Sequence, residues 1–341
     1  MKLSDAVRGS VFFPRFLPSF SRLGFCSRNL LWGSELRDFS DQEWLVTGAS
    51  SGIGRTIALR AAEAGAMVHV VARSEDRLQA LAEEVPDRIV VHAVDLSSMT
   101  AVAAFVAEVA AATPKIDVLV NNVGLMLDRR EPSADGIEKS FATNVLGHFL
   151  LTEALRDAGA LDGSVVVNMS SGGMYNVALD LDELQGGRSY NGTITYAYQK
   201  RAQVVLNRWW REQGLNSYVM HPGWVNTPGV ETAMPEFHLM TRPLLRNADE
   251  GADTALWLAA RRPAQNTADG IWFDRGLRSA HFLPGTSAGA NPEALVAYLQ
   301  EQLPVLDGSE AESPATDAQS AGSVLVEKPI APRAHRARMA G

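Results

Sequence analysis

The period of apolar residues switches repeatedly along this chain, and that switching constrains the fold more than any other feature. Short apolar runs at 43–48, 67–72, 88–95, 116–122, 164–170 and 216–222 read as strands. Between them lie stretches at 55–65, 75–85, 99–112, 136–155 and 196–212 with apolar residues at helical spacing. Runs this apolar belong to strands buried on both faces, and helix-length links between them make right-handed crossovers. The expectation is an α/β fold: a doubly wound parallel sheet in three layers. No fixed-period repeat is present. Two stretches break the cadence, a glycine-rich polar one at 172–195 and a proline-containing one at 223–247. Irregular segments of that length inside a compact domain usually carry function.

At roughly 150 residues per domain, the 341 residues suggest two domains, but both ends are poor core material. Residues 1–40 lack a sustained hydrophobic period and read as an N-terminal arm. Residues 307–341 are polar and read as a disordered tail. The remainder, 41–306, is about 265 residues, a size that one α/β domain fills. The 46% hydrophobic and 21% charged fractions fit a globular protein. A formal net charge of −8 argues against a nonspecific nucleic-acid binder, which needs a concentrated positive field.

Cys26 is the only cysteine, so neither an internal disulfide nor a cysteine-based zinc site is available, and a reducing, cytoplasmic location is expected. No run of 18 apolar residues appears. Residues 8–28 mix aromatics with Arg8, Arg15, Arg22 and Arg28, a composition that suits either a membrane surface or a targeting segment. Pro14 and Pro18 would interrupt a long amphipathic helix there, which favours packing of the arm on its own domain.

TGASSGIG at 47–54 joins the first strand to the first helix. Gly48 permits a tight turn, Gly52 lets backbone approach a phosphate, Gly54 allows close packing, and the helix N-terminus offers N–H donors. The spacing T-G-x-x-x-G-x-G resembles the short-chain dehydrogenase/reductase (SDR) superfamily, with its Rossmann-like fold. Further stations recur in the same order: Asp95 after the third strand, NNVG at 121–124, Asn144, Ser171, Tyr196 with Lys200, and PGWVNT at 222–227. Within the superfamily, the segments around Ser171, Tyr196 and Pro222 are similar to the group of SDR family member 12-like proteins, over about residues 40–305.

The resemblance implies a nicotinamide dinucleotide held by Gly48, Ser50, Ser51, Gly52, Ile53 and Gly54, with Asp95, Leu96 and Asn122 toward its adenosine half. Tyr196 and Lys200 would meet the nicotinamide half, with Pro222, Gly223, Val225 and Thr227 closing over it. An acid after the second strand would select NAD(H); Ala72 and Arg73 stand there instead. A guanidinium fork suits a 2′-phosphate, so NADP(H) is favoured and NAD(H) is the alternative. The bland reading of Arg73 is a strand-end or solvent-facing cation beside Ser74 as helix N-cap.

Tyr196 and Lys200 are four apart on one helix and share a face. A free tyrosine ionises near pH 10, and the ammonium of Lys200 is expected to lower that. In the resembled family such a tyrosine handles the proton of a carbonyl or alcohol oxygen, a serine orients that oxygen, and the lysine holds the nicotinamide ribose. Ser171 rather than Ser170 takes the serine's place in the alignment, and Ser170 reads as a turn serine. Asn144 would support an ordered water linking Lys200 to solvent; its bland reading is a buried amide satisfied by a carbonyl. The interval between Ser171 and Tyr196 is long for the family, and residues 174–192 are expected to wall the substrate site.

His148 and His221 read as packing histidines, and the acids Asp180, Asp182 and Glu183 as a helix start rather than a metal site. Most tryptophans read as core, although Trp224 could line the substrate cavity. The expected function is an NAD(P)(H)-dependent oxidoreductase acting on a small carbonyl or alcohol substrate, apolar to judge from Trp224, Val225, Val230, Met234, Phe237 and Leu239, residues that equally suit a lid packed against the domain. A non-catalytic NADP(H)-sensing protein is the alternative; an epimerase or dehydratase is disfavoured by the glycine spacing. The resemblance also implies a homo-oligomer assembled through the helices at 136–155 and 196–212.

Overall fold

The computed structural model describes residues 16–33, 37–265, 269–283, 285–287, 289 and 291–304. Contacts divide the chain into two units, Met1–Leu303 and Pro304–Gly341. Of the second unit only Pro304 is described, so the tail expected at 307–341 lies outside the described residues, as do residues 1–15 of the arm.

One sheet contains β1 (Glu43–Thr47), β2 (Met67–Ala72), β3 (Ile89–Ala93), β4 (Val118–Asn121), β5 (Val165–Met169), β6 (Asn216–Met220), β7 (Gly270–Phe273) and β8 (Gly276–Ser279). Their order is β3-β2-β1-β4-β5-β6-β7-β8, parallel as far as β7, with β8 returning antiparallel. Successive residues of β1 alternate between layers. Trp44 and Val46 face a core that includes Ile57 and Leu258, whereas Leu45 faces Phe105 and Leu151. Apolar residues on both faces are the reason the strand reads as a continuous run.

The helices are α1 (Arg22–Asn29), α2 (Gly52–Glu63), α3 (Glu75–Glu84), α4 (Met99–Ala112), α5 (Gly147–Asp157), α6 (Gly192–Glu212), α7 (Pro228–Ala233), α8 (Pro235–Thr241), α9 (Ala248–Arg261) and α10 (Pro292–Gln302). The three-layer doubly wound α/β fold is therefore as expected. Winding reverses between β1 and β4, and a crevice at the carboxyl ends of those strands is where such folds bind ligands.

Departures from the expected elements have local causes. The helix expected over 136–155 enters through a π-helical turn, Ala142–Leu146, before α5 begins. α6 starts at Gly192, ahead of the pattern at 196, because the Asn191 side chain accepts from Ile194 N at 3.1 Å and caps it. Gly192 is required there: a β-carbon would overlap the Leu127 carbonyl oxygen, so the start of α6 is held against the loop that follows β4. Residues 223–247 contain the short helices α7 and α8. α10 packs Leu295 and Leu299 with Leu206 and Trp210 of α6, so part of the apolar face of α6 is covered within the chain.

The described part of the arm packs on its own domain, as favoured, and adds helical structure that the sequence pattern did not show. Phe16–Phe20 form a helical turn and α1 follows, with Phe20 and Phe25 buried. The Phe20 ring lies 4.6 Å from His221, 5.1 Å from Phe273 and 5.9 Å from Trp224, centroid to centroid. The aromatics Phe16 and Phe20 thus pack on the domain, while Leu23, Leu30 and Leu31 are exposed. Among the described residues no helix is long and apolar enough to cross a membrane.

Gly172, just past β5, lies so close to the arm that a β-carbon would stand 2.6 Å from the Phe20 ring. Phe20 is enclosed on several sides and has little room to yield. Gly172→Ala is expected to destabilise the fold by about 1–3 kcal/mol through overpacking. Denaturant unfolding monitored by tryptophan fluorescence checks this, since Trp224 borders the same cluster.

Candidate active site

A cavity of about 1020 Å³ opens along the carboxyl ends of the parallel strands. Its wall begins at the turn after β1, where Gly48 and Gly52 have φ of 69° and 57°, a left-handed conformation that side chains disfavour. Ser50, Ser51, Ile53 and Gly54 line it too, with Ser51 as N-cap residue of α2. A β-carbon on Gly54 would collide with the Asn122 amide, so this glycine serves close packing. Asn122 donates to the Thr47 carbonyl at 2.8 Å, and its own N–H donates to Thr47 Oγ1 at 2.9 Å, which joins the ends of β1 and β4.

Arg73 follows β2 into the cavity wall, and Arg77, one turn along α3, lies there with it. Ser74 occupies the N-cap position of α3, without a side-chain capping bond. Asp95 and Leu96 follow β3; the Asp95 carboxylate accepts from Ser97 N and Oγ at 2.9 and 2.8 Å, which folds the chain back toward α4. Pro222, Gly223, Val225 and Thr227 form the far wall. Thr227 bends across the opening, its methyl 3.2 Å from where a β-carbon on Gly52 would stand.

Ser171, Tyr196 and Lys200 meet at the cavity. Ser171 stands close enough to the Tyr196 hydroxyl to favour its ionisation, and its Oγ accepts from Gly173 N at 3.4 Å. Ser170 instead donates to the Lys200 backbone carbonyl at 2.8 Å, fastening β5 to α6, rather than satisfying a strand-end N–H. Lys200 Nζ lies 5.4 Å from the Tyr196 ring centroid and donates to the Met169 carbonyl at 2.8 Å. A β-carbon on Gly124 would stand 3.5 Å from Lys200 Nζ and 3.8 Å from the Tyr196 hydroxyl, so both groups converge over the loop after β4.

Electrostatics corrects one expectation. Burial pushes the Tyr196 hydroxyl up to about 12, against the lowering effect of the nearby Ser171 side chain, and pushes Lys200 down to about 7. Tyr196 is half-buried as a residue, but its hydroxyl is crowded from water. The lysine was expected to lower the phenol; here desolvation of both groups outweighs that attraction. At neutral pH the free protein holds a phenol O–H, a proton donor.

Asn144 is the one expected site residue absent from the cavity wall. It sits in the π-helical turn, fully buried, with Oδ1 accepting from Leu125 N at 2.7 Å. Its amide nitrogen donates to the Leu125 carbonyl at 2.7 Å and to Gln199 Oε1 at 2.6 Å. The side chain is committed to holding the loop after β4.

Along 174–192, Asn176, Val177 and Asn191 line the cavity, and Trp224 and Phe237 face it from the opposite side with ring centroids 5.3 Å apart. His148 and His221 are buried and pushed down by that burial, His148 to about 3. His221 stacks on Phe273 at 4.2 Å. Asp180 caps the short turn Leu181–Glu183, and no group of metal-ligating side chains occurs among the described residues.

The profile of the short chain dehydrogenase family matches residues 42–181. Dehydrogenase/reductase SDR family member 12 of Bos taurus is 36% identical over 308 residues, covering 86% of this chain and 97% of that protein. The chain belongs to the short-chain dehydrogenase/reductase superfamily. Retinol dehydrogenase 12 of Bos taurus is 33% identical over 229 residues, covering 63% of this chain and 72% of that protein. A crystal structure of a short-chain type dehydrogenase/reductase from Mycobacterium marinum superposes with a TM-score of 0.55 at 25% identity, over 65% of this chain and 90% of that one. This SDR is an oxidoreductase of CH–OH and C=O groups that uses a nicotinamide dinucleotide.

Sequence reasoning missed several residues that build the SDR site. Arg77 was signalled by its spacing of four from Arg73. Gln199 and Gln203 flank Lys200 on α6, and their roles depend on partners in distant segments. A buried amide ladder also went unread: Asn121 donates to Asn168 Oδ1 at 3.0 Å, and Asn168 donates to Ser217 Oγ at 3.0 Å, which ties β4, β5 and β6 together beneath the site.

Proposed function

We propose that the protein is an NADP(H)-dependent carbonyl reductase or alcohol dehydrogenase for apolar substrates, with Tyr196 as its proton donor and acceptor. The observation that carries this reading is the convergence of the Tyr196 hydroxyl and Lys200 Nζ over Gly124, with Ser171 at the same cavity wall. The residues present fit a nicotinamide dinucleotide: glycine backbone with positive φ lines one end of the cavity, and the arginines stand after β2. Gly48, Ser50, Ser51, Gly52, Ile53 and Gly54 would hold its pyrophosphate, with Asp95, Leu96 and Asn122 at the adenosine half. Pro222, Gly223, Val225 and Thr227 would border the nicotinamide. When bound, the nicotinamide supplies or accepts hydride at C4.

Ser171 orients the substrate oxygen by hydrogen bond, and Tyr196 donates its proton to that oxygen in reduction or takes it back in oxidation. Charge left on the phenol raises the proton affinity of Lys200, so the ammonium is strengthened when it is needed. Asn144 acts behind the site, through the loop at Leu125. A non-catalytic NADP(H) sensor would have no use for a serine, a tyrosine hydroxyl and a lysine gathered at one cavity wall, which favours the enzyme.

Trp224, Phe237, Met234 and Val230 support an apolar substrate, as does the likeness to a protein named retinol dehydrogenase. A cytoplasmic location rests on the single, unpaired Cys26. Self-association through α5 and α6 is implied by the superfamily, although α10 covers part of α6 in this chain.

Arg73 and Arg77 carry the preference for NADP(H). The double substitution Arg73→Ala, Arg77→Ala is expected to weaken NADPH binding about 10–100-fold, the loss of one or two charge-assisted hydrogen bonds. NADH binding should stay nearly unchanged. Nicotinamide fluorescence titrations measure both, and equal losses for the two cofactors would refute the assignment.

A further inference from the structure

Lys200 is held by more than its place beside Tyr196. It is buried, and besides the Met169 carbonyl its Nζ donates to Gln203 Oε1 at 3.2 Å. Gln203 is buried three residues on, on the same face of α6. Its amide nitrogen donates to the Asn144 carbonyl at 2.7 Å and lies 3.2 Å from His148 Nδ1. One amide therefore spans the gap between the lysine and the π-helical turn, where the superfamily resemblance implies an ordered water. A water can turn and pass a proton on; an amide has a fixed donor end and a fixed acceptor end.

We propose that Gln203 is a positioning residue that replaces the relay water, tying Lys200 to the Asn144 carbonyl and closing the route to solvent behind the lysine. The proposal rests on the assignment of Lys200 to the reaction site. The charge on Lys200 is then governed by protein partners. From α5 it faces His148, which burial keeps neutral; from α6 itself it faces Tyr196; β5 presents the Met169 carbonyl and the loop after β4 presents Gly124. Gln203 supplies a side-chain oxygen that accepts from the ammonium, so its replacement must move the lysine's titration.

The chain has five lysines, Lys2, Lys115, Lys139, Lys200 and Lys328, few enough to follow singly. The test is an NMR pH titration of the free full-length protein carrying lysine labelled with carbon-13 at the ε position. The Lys200 signal is assigned by its loss in Lys200→Arg. It is expected to titrate near pH 7, well below the ordinary lysine range. Gln203→Glu, which sets a carboxylate against the ammonium, should raise the Lys200 midpoint by about 1–3 pH units. Gln203→Met keeps much of the shape but offers no comparable acceptor, and should lower the midpoint.

Variants that change thermal stability but leave the Lys200 midpoint in place would make Gln203 a packing residue and overturn the proposal. If either variant fails to fold, the other carries the test alone. Since the measurement needs no cofactor, an unmoved midpoint defeats this inference, whereas failure of NADPH to bind defeats the functional reading and leaves the lysine result standing.

Discussion

Tyr196→Phe is expected to lower turnover about 10²–10⁴-fold, the usual contribution of a positioned acid or base. The ring, its packing and its distance from Lys200 survive the change, and what goes is the hydroxyl over the loop after β4. Cofactor affinity and unfolding temperature should therefore move little. Steady-state kinetics separates the cases, because loss of a group used only in the transition state depresses kcat and kcat/KM together, whereas loss of ground-state binding raises KM. Turnover unchanged in the variant would remove the tyrosine from the mechanism.

The second large effect is on stability. Arg246 and Asp274 are each 1% exposed in their side chains and form a two-pronged pair at 2.6 and 2.9 Å. The same guanidinium donates to the carbonyls of Ser19, Phe20 and Pro222. It thus joins the arm, the segment after β6 that walls the cavity and the turn after β7. Arg246→Ala would leave a buried carboxylate with only Arg28 beside it, and would take a donor from three carbonyls, of which Ser19 keeps Arg28 and Phe20 keeps the Trp224 N–H. Breaking a buried pair from one side costs about 3–5 kcal/mol. In a domain of this size that lowers the melting temperature by roughly 10 °C, which calorimetry detects. A loss below about 1 kcal/mol, the range of an exposed ion pair, would contradict the bracing role.

The parts of the fold that were legible share a cause: their signal is local. β2 and α4 were readable to the residue, since apolar period and flanking turns set their limits. The glycine turn and Ser171 were readable because each directly follows a strand, and both strands end at the same edge of the sheet, whereas Tyr196 was readable from its four-residue spacing to Lys200. Contacts between distant segments were not legible. Phe20 against Gly172, Arg246 against Asp274 and Gln203 against Asn144 pair segments whose approach depends on the finished fold.

Asn144 shows the limit within a single motif. Its number matches a reacting station, yet the π-helical turn and the Leu125 backbone commit its side chain elsewhere. The ionisation of Tyr196 shows the same limit in energy: proximity to Lys200 could be read from a four-residue spacing, but the depth at which both are buried could not. The helical arm was missed because, beyond the stack of Phe16 on Phe20, its aromatics find their partners in distant segments: Tyr175 after β5, His221 after β6, Phe273 at the end of β7 and Arg246.

The central claim is that hydride crosses to a substrate carbon while Tyr196 supplies the proton, and isotopic transfer tests it most directly. NADPH deuterated at the transferable C4 position is incubated with the protein and a set of apolar aldehydes and ketones, and the products are analysed by mass spectrometry. The account predicts deuterium on the carbinol carbon of at least one product, with label nearly absent when Tyr196→Phe is used. NADPH that binds yet transfers no deuterium to any carbonyl, or a phenylalanine variant that labels as fast as the unaltered chain, would contradict it.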